Sequence, residues 1–84
     1  MTKLKLTEIG SDRKCRVVDF DGGSTMKTKL ENLGIRIGNE ITVNNNSFMG
    51  RPITVLAGST KVAIGRQMAK RIIVEVVKWK RYYY

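Results

Sequence analysis

The chain has 84 residues, of which 42% are hydrophobic and 27% charged, and its 16 Lys and Arg against 7 Asp and Glu give a formal net charge of +9. This length predicts one small folded domain, and the hydrophobic content is that of a folded chain and not of a disordered one. Because there is no histidine, histidine-dependent catalytic triads are excluded and the commonest transition-metal ligand is missing. The single cysteine excludes an internal disulfide.

Two features of the sequence predict a cytoplasmic protein. Charges are interleaved through the first ten residues, MTKLKLTEIG, where a signal peptide would need an apolar stretch. The longest apolar blocks, in RIIVEVV, are far shorter than the roughly 20 residues of a membrane-spanning helix.

Glycines divide the first half of the chain into a strand and a helix. Residues 11–21 between Gly10 and Gly22 are rich in β-branched and aromatic side chains, which predicts a strand closed by a turn at Asp21-Gly22-Gly23. From Ser24 to Leu33 the apolar residues recur at i, i+4 and i+7, which predicts an amphipathic helix. We expect the apolar face of this helix to be core: Met26, Leu30 and Leu33.

Both ends of this helix carry capping signals. Ser24 or Thr25 is expected to cap the first amides through its side-chain oxygen. Gly34 follows the last apolar residue, where a left-handed C′ position favours glycine.

The second half of the chain reads as four strands and a helical turn. In chain order they are a strand from Glu40 after a Gly38-Asn39 turn, a hairpin of Ile53–Ala57 and Thr60–Ile64 around Gly58-Ser59, a helical turn at Arg66–Arg71, and a last strand from Ile72. About five short strands are too few for two full sheets. The predicted fold is therefore mainly β, a small SH3-like barrel with one helix inserted after the first strand and a short helical turn before the last.

A basic and aromatic segment closes the chain. We divide the sequence into one domain over residues 1–77 and a tail over 78–84, KWKRYYY, whose cations and aromatic rings suit stacking on bases or a membrane interface. Alternatively, Trp79 folds back onto the barrel. Together with the charge of +9, the tail supports one alternative function, a nucleic-acid-binding barrel whose affinity falls steeply with salt.

The remaining side chains offer no recognisable metal-ligand spacing and no phosphate-binding glycine motif, so we expect no cofactor and no tight metal site. Cys15 lies within the first predicted strand and is expected to fill the core. A metal sensor using Cys15 with Asp19 or Asp21 is a weaker hypothesis, and the two aspartates are expected to serve the turn instead. The loop at Gly22-Gly23 leads into a helix and is only a weak anion-site signal.

The order of these motifs resembles the FeoA domain, over roughly Lys5 to Val77. The resemblance lies in the segments LTEIG (6–10), CRVV (15–18), GG (22–23), KLENLGIRIGNEI (29–41), PI (52–53) and IGRQMAKRIIV (64–74). The chain departs from the family where it has Ile9 and Ile37 in place of the usual prolines.

The resemblance implies an SH3-like barrel, no enzymatic activity, and an accessory role in bacterial ferrous iron transport. Its partner would be the cytoplasmic GTPase region of a FeoB-type ferrous iron permease, with nucleic acid disfavoured and weak self-association left open. The same kind of domain closes diphtheria-toxin-repressor-type regulators, but this chain has no room for their helix-turn-helix.

The predicted docking residues lie on the helix and the loop after it. We expect Lys27, Lys29 and Arg36 to steer the partner, and Ile35 and Ile37 to anchor it if they are exposed. Surface charges mainly raise the association rate, whereas buried apolar anchors hold a complex together.

Overall fold

The computed structural model describes residues 3–45 and 50–77. Its elements are six strands and two helices: β1 (Lys3–Lys5), β2 (Lys14–Phe20), α1 (Ser24–Asn32), β3 (Glu40–Asn45), β4 (Ile53–Ala57), β5 (Thr60–Ile64), α2 (Arg66–Ala69) and β6 (Ile72–Val76). A single 3₁₀ turn, Leu6–Glu8, connects β1 to the loop before β2.

The six strands form one antiparallel sheet in the order β1-β6-β2-β3-β4-β5. Alternate residues of β2 to β6 point inward, because successive side chains of a strand face opposite sides of the sheet. The sheet curls around a single core, to which the 3₁₀ turn, α1 and α2 each add a buried residue: Leu6, Leu30 and Ala69. This confirms the mainly β, SH3-like architecture and the positions of both helices.

The strand boundaries follow the turn signals closely. The hairpin of β4 and β5 has the predicted bounds, and in β5 Val62 and Ile64 point inward while Lys61 and Ala63 are exposed. The last strand likewise buries Ile72 and Val74. Turn residues therefore determine where these strands end.

The sequence interpretation missed β1. Its three residues pair with β6, with Leu4 opposite Val74, so the sheet has six strands where about five were expected. A strand of three residues is too short to show an alternating pattern, and its place in the sheet depends on pairing with a strand about 70 residues later.

No helix among residues 3–45 and 50–77 is long and apolar enough to cross a membrane. The predicted tail over residues 78–84, with Trp79, lies outside the described residues, so its proposed roles remain predictions.

Candidate functional site

A tight reversal ends α1 and determines which apolar side chains face solvent. Leu33 is the C-cap, and Gly34 follows with a φ of +91°, the left-handed conformation predicted for it. The amide of Gly34 donates to the carbonyl oxygen of Glu31 over 3.0 Å, and the amide of Ile35 donates to that of Leu30 over 2.9 Å. These two bonds define a Schellman motif.

The Schellman motif exchanges the expected roles of two apolar residues. It packs the residue after the glycine against the residue three positions before the cap, and Ile35 and Leu30 are both 0% exposed. Ile35 is therefore core and not available as a docking anchor. Leu33, expected in the core, is instead 41% exposed. The helix ends at Asn32, and the reversal that follows places Ile35, not Leu33, against Leu30.

The turn that follows, residues 36–39, leaves Ile37 exposed to solvent. The amide of Asn39 donates to the carbonyl oxygen of Arg36 over 3.0 Å, and Gly38 has a φ of +95°, as the third position of a type II turn requires. Ile37 occupies the second position and is 47% exposed. Leu33 and Ile37 are the exposed large hydrophobic side chains of the described part of the chain.

Backbone hydrogen bonds attach this turn to the sheet. The amide of Gly38 donates to the carbonyl oxygen of Val17 over 2.7 Å, and the amide of Val17 donates to that of Asn39 over 2.9 Å. Because the Schellman motif fixes the other end of the loop, Leu33 and Ile37 are carried on well-anchored backbone. We call Leu33, Arg36 and Ile37 the helix-end patch.

The predicted steering residues are all exposed, but they do not share one face. Arg36 belongs to the helix-end patch, and Lys29 lies one turn before Leu33 on the same side of α1. Lys27 is about 200° around the helix from Lys29 at 3.6 residues per turn, so it lies on the other flank. Lys29, Arg36 and Ile37 thus all lie near the end of α1 along the chain, whereas Lys27 lies on the other flank of the helix.

Basic and acidic residues alternate across the outer face of the sheet. The backbone register places Lys3 opposite Glu75, Glu75 opposite Arg16 and Arg16 opposite Glu40. Arg16 Nη2 lies 3.1 Å from Glu40 Oε2, and Lys14 Nζ lies 4.0 Å from Glu40 Oε1. Since this face pairs its charges, the excess positive charge of the described residues lies elsewhere, including both helices and the helix-end patch.

The structure gives no support to a metal sensor on Cys15. Cys15 points into the core, and burial raises the pKa of its thiol from 9.0 to about 11, so the thiolate that would bind a metal is disfavoured. Asp19 and Asp21 are exposed. No group of three metal-ligating side chains occurs within residues 3–45 and 50–77.

The sequence model of the FeoA domain matches residues 4–76. The chain belongs to the FeoA family. Solved FeoA structures agree with this assignment over nearly the whole chain. The crystal structure of an iron uptake regulatory protein (FeoA) is 30% identical with a TM-score of 0.82, covering 92% of this chain and 100% of that one. The NMR structure of a FeoA-like protein from Clostridium acetobutylicum is 27% identical with a TM-score of 0.80, covering 100% and 99%.

Larger proteins contain the same fold, among them a manganese-dependent transcriptional repressor, of which the match covers 42%. The IdeR protein of T. acidophilum is 18% identical with a TM-score of 0.80, and the match covers 92% of this chain but 35% of that protein. At this identity the likeness concerns the FeoA fold alone. Among curated protein sequences, no relative matches.

Membership of the FeoA family indicates an accessory role in ferrous iron transport. FeoA domains are small accessory domains and are not known as enzymes. The sequence analysis missed Leu33 as an exposed residue. The signal that identifies it is local: a helix ending in Leu-Gly-Ile, with a leucine four residues before the glycine, is typical of the Schellman motif.

Proposed function

We propose that this FeoA protein is a non-enzymatic accessory of bacterial ferrous iron transport that docks on the cytoplasmic GTPase region of a FeoB-type permease through its helix-end patch. The observation that carries the proposal is the exposure of Leu33 and Ile37 on a loop attached at both ends. Anchors held on ordered backbone lose little conformational freedom on binding, which favours affinity.

The charges around the patch suit an acidic partner surface. Arg36 lies between the two apolar anchors in sequence, and Lys29 is adjacent on α1. Exposed cations of this kind increase the rate of encounter with an acidic surface at low salt, while the apolar anchors slow dissociation. Lys29 and Arg36 are therefore proposed to raise the association rate, and Leu33 and Ile37 to slow dissociation of the complex.

Binding of purified variants to the isolated GTPase region tests the proposal. The double variant Leu33→Ser, Ile37→Ser removes both anchors and is expected to weaken binding at least about tenfold. Arg36→Gln is expected to slow association at low salt and to have little effect at high salt, where surface charges are screened. Lys5→Gln on β1 removes the same charge away from the patch and serves as the control.

The competing function is nucleic-acid binding, which depends on the net charge of +9 and the tail over residues 78–84. A single-stranded RNA therefore belongs in the same experiment. Tight, salt-sensitive RNA binding together with no binding to the GTPase region would overturn the docking proposal in favour of this alternative.

A further inference from the structure

A groove separates the two helices on the side of the molecule where α1 begins. It has a volume of about 360 Å³, towards the lower end of the range for ligand sites. We call it the methionine groove, after two of its lining residues: Met26, Gly65, Gln67, Met68 and Arg71.

The floor of the methionine groove is apolar and attached to the core. Met26 and Met68 are partly buried and pack against the core cluster from opposite helices. Thioether side chains are flexible and polarizable, so they accommodate apolar side chains of different shapes. Such a floor favours an apolar side chain of the ligand.

Polar groups lie beside this floor. Arg71 is exposed, and no ion pair holds its guanidinium within the described part of the chain. The amide of Asp21 donates to the Arg71 carbonyl oxygen over 2.7 Å, which fixes this residue beside the loop that leads into α1. Gln67 offers both a hydrogen-bond donor and an acceptor, as an extended peptide backbone requires.

We propose that the methionine groove binds a short peptide segment in which an apolar side chain is followed by a carboxylate. The apolar side chain contacts Met26 and Met68, and the carboxylate pairs with Arg71. This inference rests on the proposed function, because it assigns the segment to the same permease region that contacts the helix-end patch. It adds a second contact with its own chemistry.

Charge and lining favour a peptide over nucleic acid in this groove. The exposed guanidinium of Arg71 makes its edge basic and complementary to a carboxylate. Single-stranded nucleic acid is bound by stacking its bases on aromatic side chains, and the described lining contains none.

The test uses the whole chain with ¹³C-methyl-labelled methionine and three blocked peptides. The probes are Ala-Leu-Glu-Ala, its neutral counterpart Ala-Leu-Gln-Ala, and Ala-Ser-Glu-Ala, which lacks the apolar side chain. We expect the first peptide to shift the methyl signals of Met26 and Met68 saturably, and each of the others to bind about tenfold more weakly.

Matched variants identify the residues that bind the peptide. Arg71→Gln is expected to weaken the binding of the acidic peptide about tenfold and to leave the binding of the neutral peptide unchanged. Lys70→Gln makes the same charge change outside the groove lining and is expected to leave the binding of both peptides unchanged. A Cβ at Gly22 would lie 2.9 Å from Met26 Cε, so Gly22→Ala must displace this methyl group and is expected to weaken peptide binding. Nothing lies within 4 Å of a Cβ at Gly23, and Gly23→Ala is the control.

Several results would overturn the inference. These are equal binding of the acidic and neutral peptides, no methyl shift with any peptide, methyl shifts produced by RNA instead, or shifts that depend on protein concentration alone, which would assign the groove to a second copy. The docking function and the groove inference can fail independently. If the GTPase region binds with the expected dependence on Ile37 but not on Arg71, the docking function stands and the groove inference fails.

Discussion

Two isoleucines separated by one residue are expected to have opposite roles, which a pair of alanine variants tests. Ile35 is 0% exposed and packs in the core beside Leu30, whereas Ile37 is 47% exposed at the tip of a turn. Removing a buried isoleucine side chain costs about 2–5 kcal/mol, because it loses burial and leaves a cavity. An 84-residue domain has a total stability of only about 4–13 kcal/mol. Ile35→Ala therefore removes a large part of the stability.

Ile37→Ala is expected to cost less than about 1 kcal/mol. About half of its side chain is already in water, and solvent fills the space that is left, so no cavity forms. Urea unfolding followed by circular dichroism measures both variants, and Ile35→Val, at about 0.5–1.5 kcal/mol, keeps the comparison measurable if Ile35→Ala does not fold.

Substitutions at the two isoleucines are expected to affect binding in the opposite order. Ile37→Ala is expected to weaken the complex with the permease GTPase region while leaving the protein stable, and Ile35→Val is expected to bind normally. Equal losses of stability for Ile35→Ala and Ile37→Ala, or normal binding by Ile37→Ala, would refute the assignment of one residue to the core and the other to the docking surface.

Three further predictions concern stability and reactivity. Gly34→Ala is expected to cost about 1–2 kcal/mol because its φ of +91° strains any residue with a Cβ, while Gly10→Ala, with open space around it, is expected to cost nothing in the same thermal melts. Glu40→Gln removes the exposed pair with Arg16 and is expected to cost less than about 1 kcal/mol, with a smaller effect in 1 M salt. Burial raises the pKa of the Cys15 thiol from 9.0 to about 11, so the stability that the protonated thiol contributes is fully present below pH 9 and is lost as the pH rises through about 11. The measurement is the difference in urea stability between the protein and Cys15→Ala across pH 8–11, and a difference that does not change with pH would contradict this prediction.

Much of the fold could be predicted from the sequence, because local signals agree with the final architecture. The β4–β5 hairpin around Gly58-Ser59 and the end of α1 at Gly34 are fixed by turn residues, whose conformational preferences do not depend on distant parts of the chain. The exception is β1, whose position depends on pairing with β6 at the other end of the chain.

Helix capping was only partly predictable. Gly23 is the N-cap of α1 and no side chain caps the helix, so Ser24 and Thr25, expected as caps, lie within the first turn. The helix therefore begins at Ser24 itself, one residue earlier than a Ser24 cap would allow.

The candidate site shows why apolar spacing alone misassigns residues near a helix end. Leu33 has the correct i+7 spacing for the buried face, but α1 ends at Asn32 and the chain reverses at Gly34. The reversal buries Ile35 and exposes Leu33, so the periodicity that predicts the core fails within one turn of the cap. The groove could not be predicted, because Met26 and Met68 are brought together only by the packing of two helices on the same core.

The measurement that tests the central claim most directly is an NMR titration of the ¹⁵N-labelled protein with the cytoplasmic GTPase region of a FeoB-type permease. The docking account predicts saturable shifts concentrated at Lys29, Leu33, Arg36 and Ile37, with the outer sheet face at Arg16 unchanged. No shift at the helix-end patch, or salt-sensitive shifts in residues 78–84 with single-stranded RNA and none with the GTPase region, would contradict it.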